Sequence, residues 1–371
     1  MNDKKKQGTV MEEEPKKLEE YKQDKESIKP FIVSSLPHKE NINPYSNTID
    51  FYDAIPKYWW GNQKRDAYGR LSFSVLEREF IYRDNLFKVF IQPAKIKMKN
   101  GLYKECLPGQ REELVEDALR KIASEGNGVF LDDTAGVTFT LYELEQELKQ
   151  MGHGFNKNEI KEAIMVCNKS NIEVKTKDGK RMLSASFFVA VGLQTQEDWK
   201  GHGKKTQAFI IFNPLVTKSI KEKNFRLINY KKSMSYKKVL ARWFHKRLSH
   251  NYRQASLTEP FTISLNRIIN DSGIKRYSLM RVHINELKKA LDEMKAKEVL
   301  SDYKMEKKCN GRKIEDAKII LIPHESFIKE MKFFNHHYTE IRSQEIKEKA
   351  IAQMKKYGII IPKTPEESKK K

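Results

Sequence analysis

The chain has 371 residues, carries 71 Lys and Arg against 50 Asp and Glu for a formal net charge of +21, and is 39% hydrophobic and 10% aromatic. It is too long for one core, since cores rarely grow beyond roughly 250 residues, and too apolar for a disordered polycation. Three scattered cysteines, Cys106, Cys167 and Cys309, and the lack of any apolar run near the ~20 residues of a membrane span predict a reduced, cytoplasmic protein with neither disulfide framework nor structural metal.

Residues 1–30 hold eight acids and eight bases and few apolar side chains, the composition of a solvated tail; the N-terminus lacks the apolar stretch of a secretory signal. Residues 31–109 form a lead-in segment with an aromatic cluster, Tyr58, Trp59 and Trp60, and a strand-like stretch at 87–96. Helical spacing places Leu114, Ala118, Leu119 and Ile122 on one face over 113–123, stopped by Gly126 and Gly128. A β-branched run at 137–140 precedes a helix at 141–151 that Thr140 can cap, and a third helix spans 156–168. An alternating hairpin follows, 171–176 and 182–193 about the Asp178-Gly179 turn. Three helices and a hairpin are the layout of a winged helix.

After a linker at 201–205 the order recurs. A strand at 209–212, a short helix after Asn213-Pro214 and a strand at 225–230 lead to a long helix at 235–254 with Tyr236, Val239, Leu240, Trp243, Phe244 and Leu248 on its apolar stripe. Then come a strand at 261–263, a helix at 265–270, a Ser272-Gly273 turn, a helix at 278–299 and a hairpin, 300–308 and 314–322, about Asn310-Gly311. A helical pattern at 340–357 precedes a second charged tail, 364–371. The expected fold is α+β: two tandem winged-helix domains with disordered charged N- and C-terminal tails. The expected divisions are a tail at 1–30, a first domain with its lead-in at 31–200 making dimer and protein contacts, a second domain at 206–335 as principal DNA binder, and a C-terminal helix and tail at 336–371.

Charge separates the two domains. Residues 201–335 hold 30 Lys and Arg against 13 Asp and Glu, whereas residues 110–200 hold 12 against 16. A cationic surplus concentrated in one folded segment is the footprint of a polyphosphate binder. In the helix at 278–299, Met280, Ile284, Leu287, Leu291 and Met294 are spaced for burial. The opposite face offers Ser278, Arg281, Asn285, Lys288 and Lys289 for reading bases. Arg forks onto guanine and Asn onto adenine. Lys275, Arg276 and Tyr277 in the preceding turn, and Arg312 and Lys313 at the hairpin tip, suit phosphate or minor-groove contacts. Lys231, Lys232, Lys237, Lys238, Arg242 and Lys246 are expected to form a solvent-facing band that grips phosphates. The corresponding helix of the first domain offers Lys157, Glu159, Lys161 and Glu162, too acidic for a phosphate surface, although Lys175, Lys177, Lys180 and Arg181 on its hairpin leave weak DNA contacts open.

Enzyme signatures fail. Gly203-Lys204 resembles the end of a phosphate-binding loop, but Asp198 stands where the first Gly belongs and Lys205 replaces Ser or Thr. A rolling-circle nickase wants two His flanking one apolar residue; His336 and His337 are adjacent, although Tyr338 follows them. His245 and His250 read as phosphate contacts or packed residues. No catalytic residue, cofactor or metal is expected.

The run LINYKKSMSYKKVLARWFHKRLSHNYRQA at 227–255, with the later helix-turn-helix and hairpin, resembles the C-terminal DNA-binding domain of theta-type, iteron-binding plasmid replication initiators, best over 209–331. The resemblance implies two winged-helix domains. The second dominates contact with double-stranded origin repeats, and the first serves dimerisation and secondary DNA contacts. It also implies origin melting by bound monomers, repression of the protein's own gene by dimers, and two host partners, the replication initiator ATPase and the replicative helicase. Two other readings stay open: a winged-helix transcription regulator, which a single palindromic operator would favour, and a rolling-circle nickase or relaxase, which a nicked covalent adduct would reveal.

Overall fold

The structure, a computed structural model, describes residues 44–131, 133–193 and 208–356. The expected tails at 1–30 and 364–371 and the linker at 201–205 lie outside the described residues. The described residues begin with β1 (Tyr45–Thr48) and a short α1 (Asp50–Ala54), then two hairpins, β2 (Leu76–Tyr82) with β3 (Asn85–Gln92) and β4 (Ala94–Lys97) with β5 (Tyr103–Cys106). Next is α2 (Gln110–Ile122), which ends in a π turn over Ala123–Asn127, followed by β6 (Gly128–Leu131), β7 (Thr134–Phe139), α3 (Leu141–Gln150) and α4 (Lys157–Lys169). Thr140 caps α3, accepting the Glu143 amide at 3.0 Å while the Glu143 carboxylate accepts the Thr140 amide at 3.3 Å. Asn156 caps α4 in the same way.

The Asp-Gly hairpin forms as β8 (Asn171–Thr176) and β9 (Met182–Ser186), the outer half of an antiparallel sheet ordered β2–β3–β8–β9. The single strand expected at 182–193 is two, because the chain leaves that sheet after Ser186. As β10 (Phe188–Gly192) it joins another, ordered β10–β11–β7–β6. There β11 (Ala208–Phe212), expected to open the second domain, lies instead between β7 and β10. Its alternate residues Ala208, Ile210 and Phe212 fill the first core, as does Val216 of the following α5 (Pro214–Lys221). Gly136 on β7 permits this pairing, since a Cβ there would stand 2.5 Å from the Ile210 carbonyl oxygen.

The lead-in is equally long-range. β1 pairs with β12 (Arg226–Asn229), and Ile49, Tyr52, Ile55 and Tyr58 enter the first core. The two cores meet at α6 (Tyr230–Met234): Tyr230 and Met234 belong to the first, Leu227 and Tyr236 to the second. The helix expected at 235–254 begins only at Val239, as α7 (Val239–Asn251). A carboxylate from another helix, Glu293, accepts the amides of Lys237 and Lys238 at 2.6 and 2.9 Å and caps α7 there.

The second module continues with β13 (Phe261–Ser264), α8 (Leu265–Ser272), α9 (Met280–Ala296), β14 (Leu300–Asn310) and β15 (Lys313–Pro323), with the strands ordered β13–β15–β14. Three helices, a first strand between two of them and a terminal hairpin make this a winged helix. The last helix among the described residues, α10 (Glu325–Lys356), starts well before the expected 340. It sets Phe327, Met331 and Phe334 into the second core and Ile341 against the first.

A buried ionic seam joins the modules. Arg242 of α7 meets Glu113 of α2 at 2.7 Å, and Lys246 meets Glu113 at 3.0 Å and Asp117 at 2.7 Å. Arg120 extends it to Asp117 at 3.1 Å, to Asp53 of α1 at 2.8 Å and to Glu116 at 3.7 Å, and Lys57 reaches Asp53 at 3.7 Å. These four cations and four anions have side chains no more than 10% exposed. Burial alone would raise the Glu113 carboxyl, but Lys246 and Arg242 hold it below its ordinary range. Arg242→Leu leaves the cluster with an unbalanced buried negative charge. It is expected to destabilise the protein by ~3–5 kcal/mol in urea unfolding; a loss within the ~1 kcal/mol of a surface pair would remove the seam from the account.

Candidate nucleic-acid interface

The helix-turn-helix of the second module is α8, the turn at 273–279 and α9. Ser264 caps α8, accepting the Arg267 amide at 3.2 Å, and Gly273 ends it at φ +66°, in the left-handed region where glycine alone carries no steric penalty. Ile284, Leu287, Leu291 and Met294 are buried and Met280 packs against them, as the spacing predicted. On the opposite face Arg281, Asn285, Lys288 and Lys289 are exposed. Lys289 pairs with Glu286 at 2.6 Å. Arg281, Asn285 and Lys288 make no side-chain hydrogen bond or ion pair with any described residue. Ser278 is exposed but precedes the helix, whose first residue is Met280 with Leu279 as cap.

Lys275, Arg276 and Tyr277 are exposed in the turn. Arg276 donates to Asn270, and the Tyr277 amide donates to Nε2 of buried His283 at 2.9 Å. That bond requires Nε2 to be unprotonated, and burial pushes the His283 pKa down. The turn also forms one wall of a cleft of about 1150 Å³ whose other wall includes Trp59, Phe73 and Phe90 of the first module.

The wing stands clear of the core. From Glu306 to Lys313 every residue of the β14–β15 tip is exposed, Arg312 and Lys313 included. Lys307 and Lys308, overlooked in the sequence, add two exposed cations just before the Asn310-Gly311 turn; the adjacent Lys-Lys pair beside a tight turn was the available signal.

The expected basic band is only partly on the surface. Lys231 and Lys237 are exposed; Lys232 pairs with Glu330 at 3.1 Å and Lys238 with Glu286 at 3.7 Å. Arg242 and Lys246 are not solvent-facing: they are buried in the seam, neutralised by carboxylates of the first module and closed to any phosphate. His245 and His250 are buried too. Neither ring nitrogen of His245 has a hydrogen-bond partner among the described residues, and burial lowers its pKa to about 3. Burial lowers His250 to about 4 although Asp50 opposes the shift, and His250 Nε2 lies 3.1 Å from the Thr48 hydroxyl.

In the first module, Glu162 of α4 binds Lys104 at 2.8 Å and Arg111 at 3.0 Å, and Met165 and Val166 pack on the β4–β5 hairpin, so that flank of the helix is covered. On its β8–β9 hairpin Lys175 pairs with Glu173 at 2.5 Å. His336 and His337 lie on α10, with His337 buried and His336 against Glu340 at 3.3 Å. Among the described residues no group of three or more His, Cys, Asp or Glu is placed to hold a metal ion, and no helix is long and apolar enough to cross a membrane.

No protein-family model matches the chain, and no curated protein matches it significantly. Among solved structures it is similar to domains 2 and 3 of RctB. One crystal structure of these gives 8% identity over 72% of this chain and 95% of that one, TM-score 0.44; another gives 9% over 73% and 96%, TM-score 0.42. It is also similar to the Pi initiator protein in complex with iteron DNA, at 14% identity over 58% of this chain and 94% of that one, TM-score 0.38.

The buried histidines fix the response to acid. Their folded pKa values lie below the ordinary 6.5, so the unfolded chain takes up protons first and stability falls as pH drops below 6.5. Each neutral histidine withdraws up to about 1.4 kcal/mol per pH unit in that window. His245→Phe is therefore expected to gain ~2 kcal/mol relative to the unsubstituted protein between pH 7.5 and pH 5 in urea unfolding. An equal difference at both pH values would show that His245 takes up its proton in the folded protein as readily as in the unfolded chain.

Proposed function

We propose that the chain is a non-enzymatic, sequence-specific binder of double-stranded DNA that initiates replication of a plasmid from repeated origin sequences. One observation carries the reading: the exposed face of α9 presents Arg281, Asn285 and Lys288 with no partner among the described residues, while the other large cationic helix, α7, has its central cations neutralised by carboxylates. Arg281 and Asn285 read base edges, Lys288 and Lys289 support them, and Lys275, Arg276 and Tyr277 meet the phosphates beside the groove. Arg312 and Lys313, with Lys307 and Lys308, bring the wing onto the neighbouring backbone.

The resemblance of residues 227–255 to iteron-binding initiators takes this from DNA binding to replication. Several copies on adjacent repeats bend the origin and favour opening of a neighbouring A·T-rich stretch through binding energy alone. Such an initiator recruits the host initiator ATPase and replicative helicase, and a dimeric form represses its own gene. Footprinting on DNA flanking the gene separates replication from regulation: protected tandem repeats support the initiator, and one protected palindrome favours a transcription regulator.

Arg281→Ala and Asn285→Ala are each expected to weaken binding to the selected duplex by ~1–3 kcal/mol and to leave affinity for random duplex unchanged. Equal losses on both DNAs would reject base reading. Lys275→Ala and Arg276→Ala are expected to lower the slope of log affinity against log salt by about 0.9 each, and an unchanged slope would place these residues off the phosphates.

A further inference from the structure

The turn that presents α9 is held from outside its own module. The last residues of α8, Asp271 and Ser272, are each 1% exposed. The Asp271 carboxylate accepts the backbone amide of Ile81, on β2 of the first module, at 3.0 Å through one oxygen. Through the other it meets Arg247 of α7 at 2.8 Å and Arg267 at 3.3 Å. The Ser272 carbonyl accepts the indole N–H of Trp60, from the lead-in segment, at 2.9 Å. Against Gly273 lies the Arg78 guanidinium, itself fixed to the carbonyl oxygens of Pro56 and Tyr58 at 2.7 and 2.6 Å; a Cβ on Gly273 would stand 2.6 Å from its Nη1 and 3.0 Å from Pro56.

Three successive residues at the hinge of the helix-turn-helix are thus held by two parts of the first module, β2 through Ile81 and Arg78 and the segment after α1 through Pro56 and Trp60. A buried acceptor left without its donor is costly, so these contacts define one position of the turn. The residues just beyond it, Lys275 to Tyr277, lead directly into α9.

We propose that Trp60, Arg78 and Asp271 are positioning residues for DNA reading: the first module sets the angle at which α9 is offered to the groove, so specificity is a property of both modules together. The inference rests on the assignment of α9 as the reading helix. Base readout tolerates little displacement, whereas phosphate attraction is long-ranged and forgiving. Loosening the clamp should therefore cost specific binding and spare non-specific binding.

The test uses the full chain, a duplex selected from random-sequence DNA by the unsubstituted protein, and a scrambled duplex of the same composition. Trp60→Phe keeps a ring and removes the donor. It is expected to weaken binding to the selected duplex roughly 3- to 10-fold with unchanged affinity for the scrambled one, and to speed amide hydrogen exchange over 273–281 in the DNA-free protein. Gly273→Ala, which sets a side chain against Arg78 at a positive φ, is expected to act in the same direction. Equal losses on both duplexes, or unchanged exchange over 273–281, would overturn the proposal. If no duplex is selected at all, the DNA-binding assignment fails, and the exchange rates alone decide whether the clamp exists.

Discussion

The contact of Arg242 and Lys246 with Glu113 and Asp117 governs the rest of the molecule. Moving such groups out of water costs several kcal/mol per ion after relaxation, and a buried cluster is tolerable only when its charges balance. Here four cations face four anions, drawn from α1, the segment after it, α2 and α7. The balance accounts for part of the charge asymmetry of the chain, a part that composition alone does not reveal. Part of the acidity of the first module and part of the basicity of the second exist for each other.

That pairing decides where nucleic acid can dock. A phosphate backbone competes for cations that are exposed and unpaired, and α7 has given its central ones to the seam. Besides Lys231 and Lys237, exposed cations remain in the turn before α9, on the polar face of α9 and on the wing. The same α7 also carries Arg247, which reaches the other way to Asp271 at the end of α8. One helix is thus tied to α2 on one side and to the helix-turn-helix on the other.

Much of the fold could be read locally. Thr140 and Asn156 cap the helices they precede, the Asp178-Gly179 and Asn310-Gly311 turns close the hairpins about them, and Ile284, Leu287, Leu291 and Met294 fall on the buried face of α9. The misses are long-range. A run of alternating apolar residues such as β11 announces a strand but not its sheet, and only Gly136, small where a backbone must pass close, hinted at the pairing with β7. The burial of Arg242 and Lys246 was hidden because a cation four residues from another on one helical face suits a phosphate and a carboxylate equally well. The matching signal was the Glu113 and Asp117 pair, four residues apart on α2, which offers complementary anions at the same helical spacing.

The most direct test compares hydrogen-exchange protection of the full chain with and without its selected duplex. If the reading face is as described, DNA will protect 275–289 and the wing tip at 306–313 and leave α7 unchanged. Protection centred on α7 and the seam, with 275–289 unaffected, would contradict the account, because it would mean that DNA displaces the carboxylates of the first module and binds the cations here assigned to them.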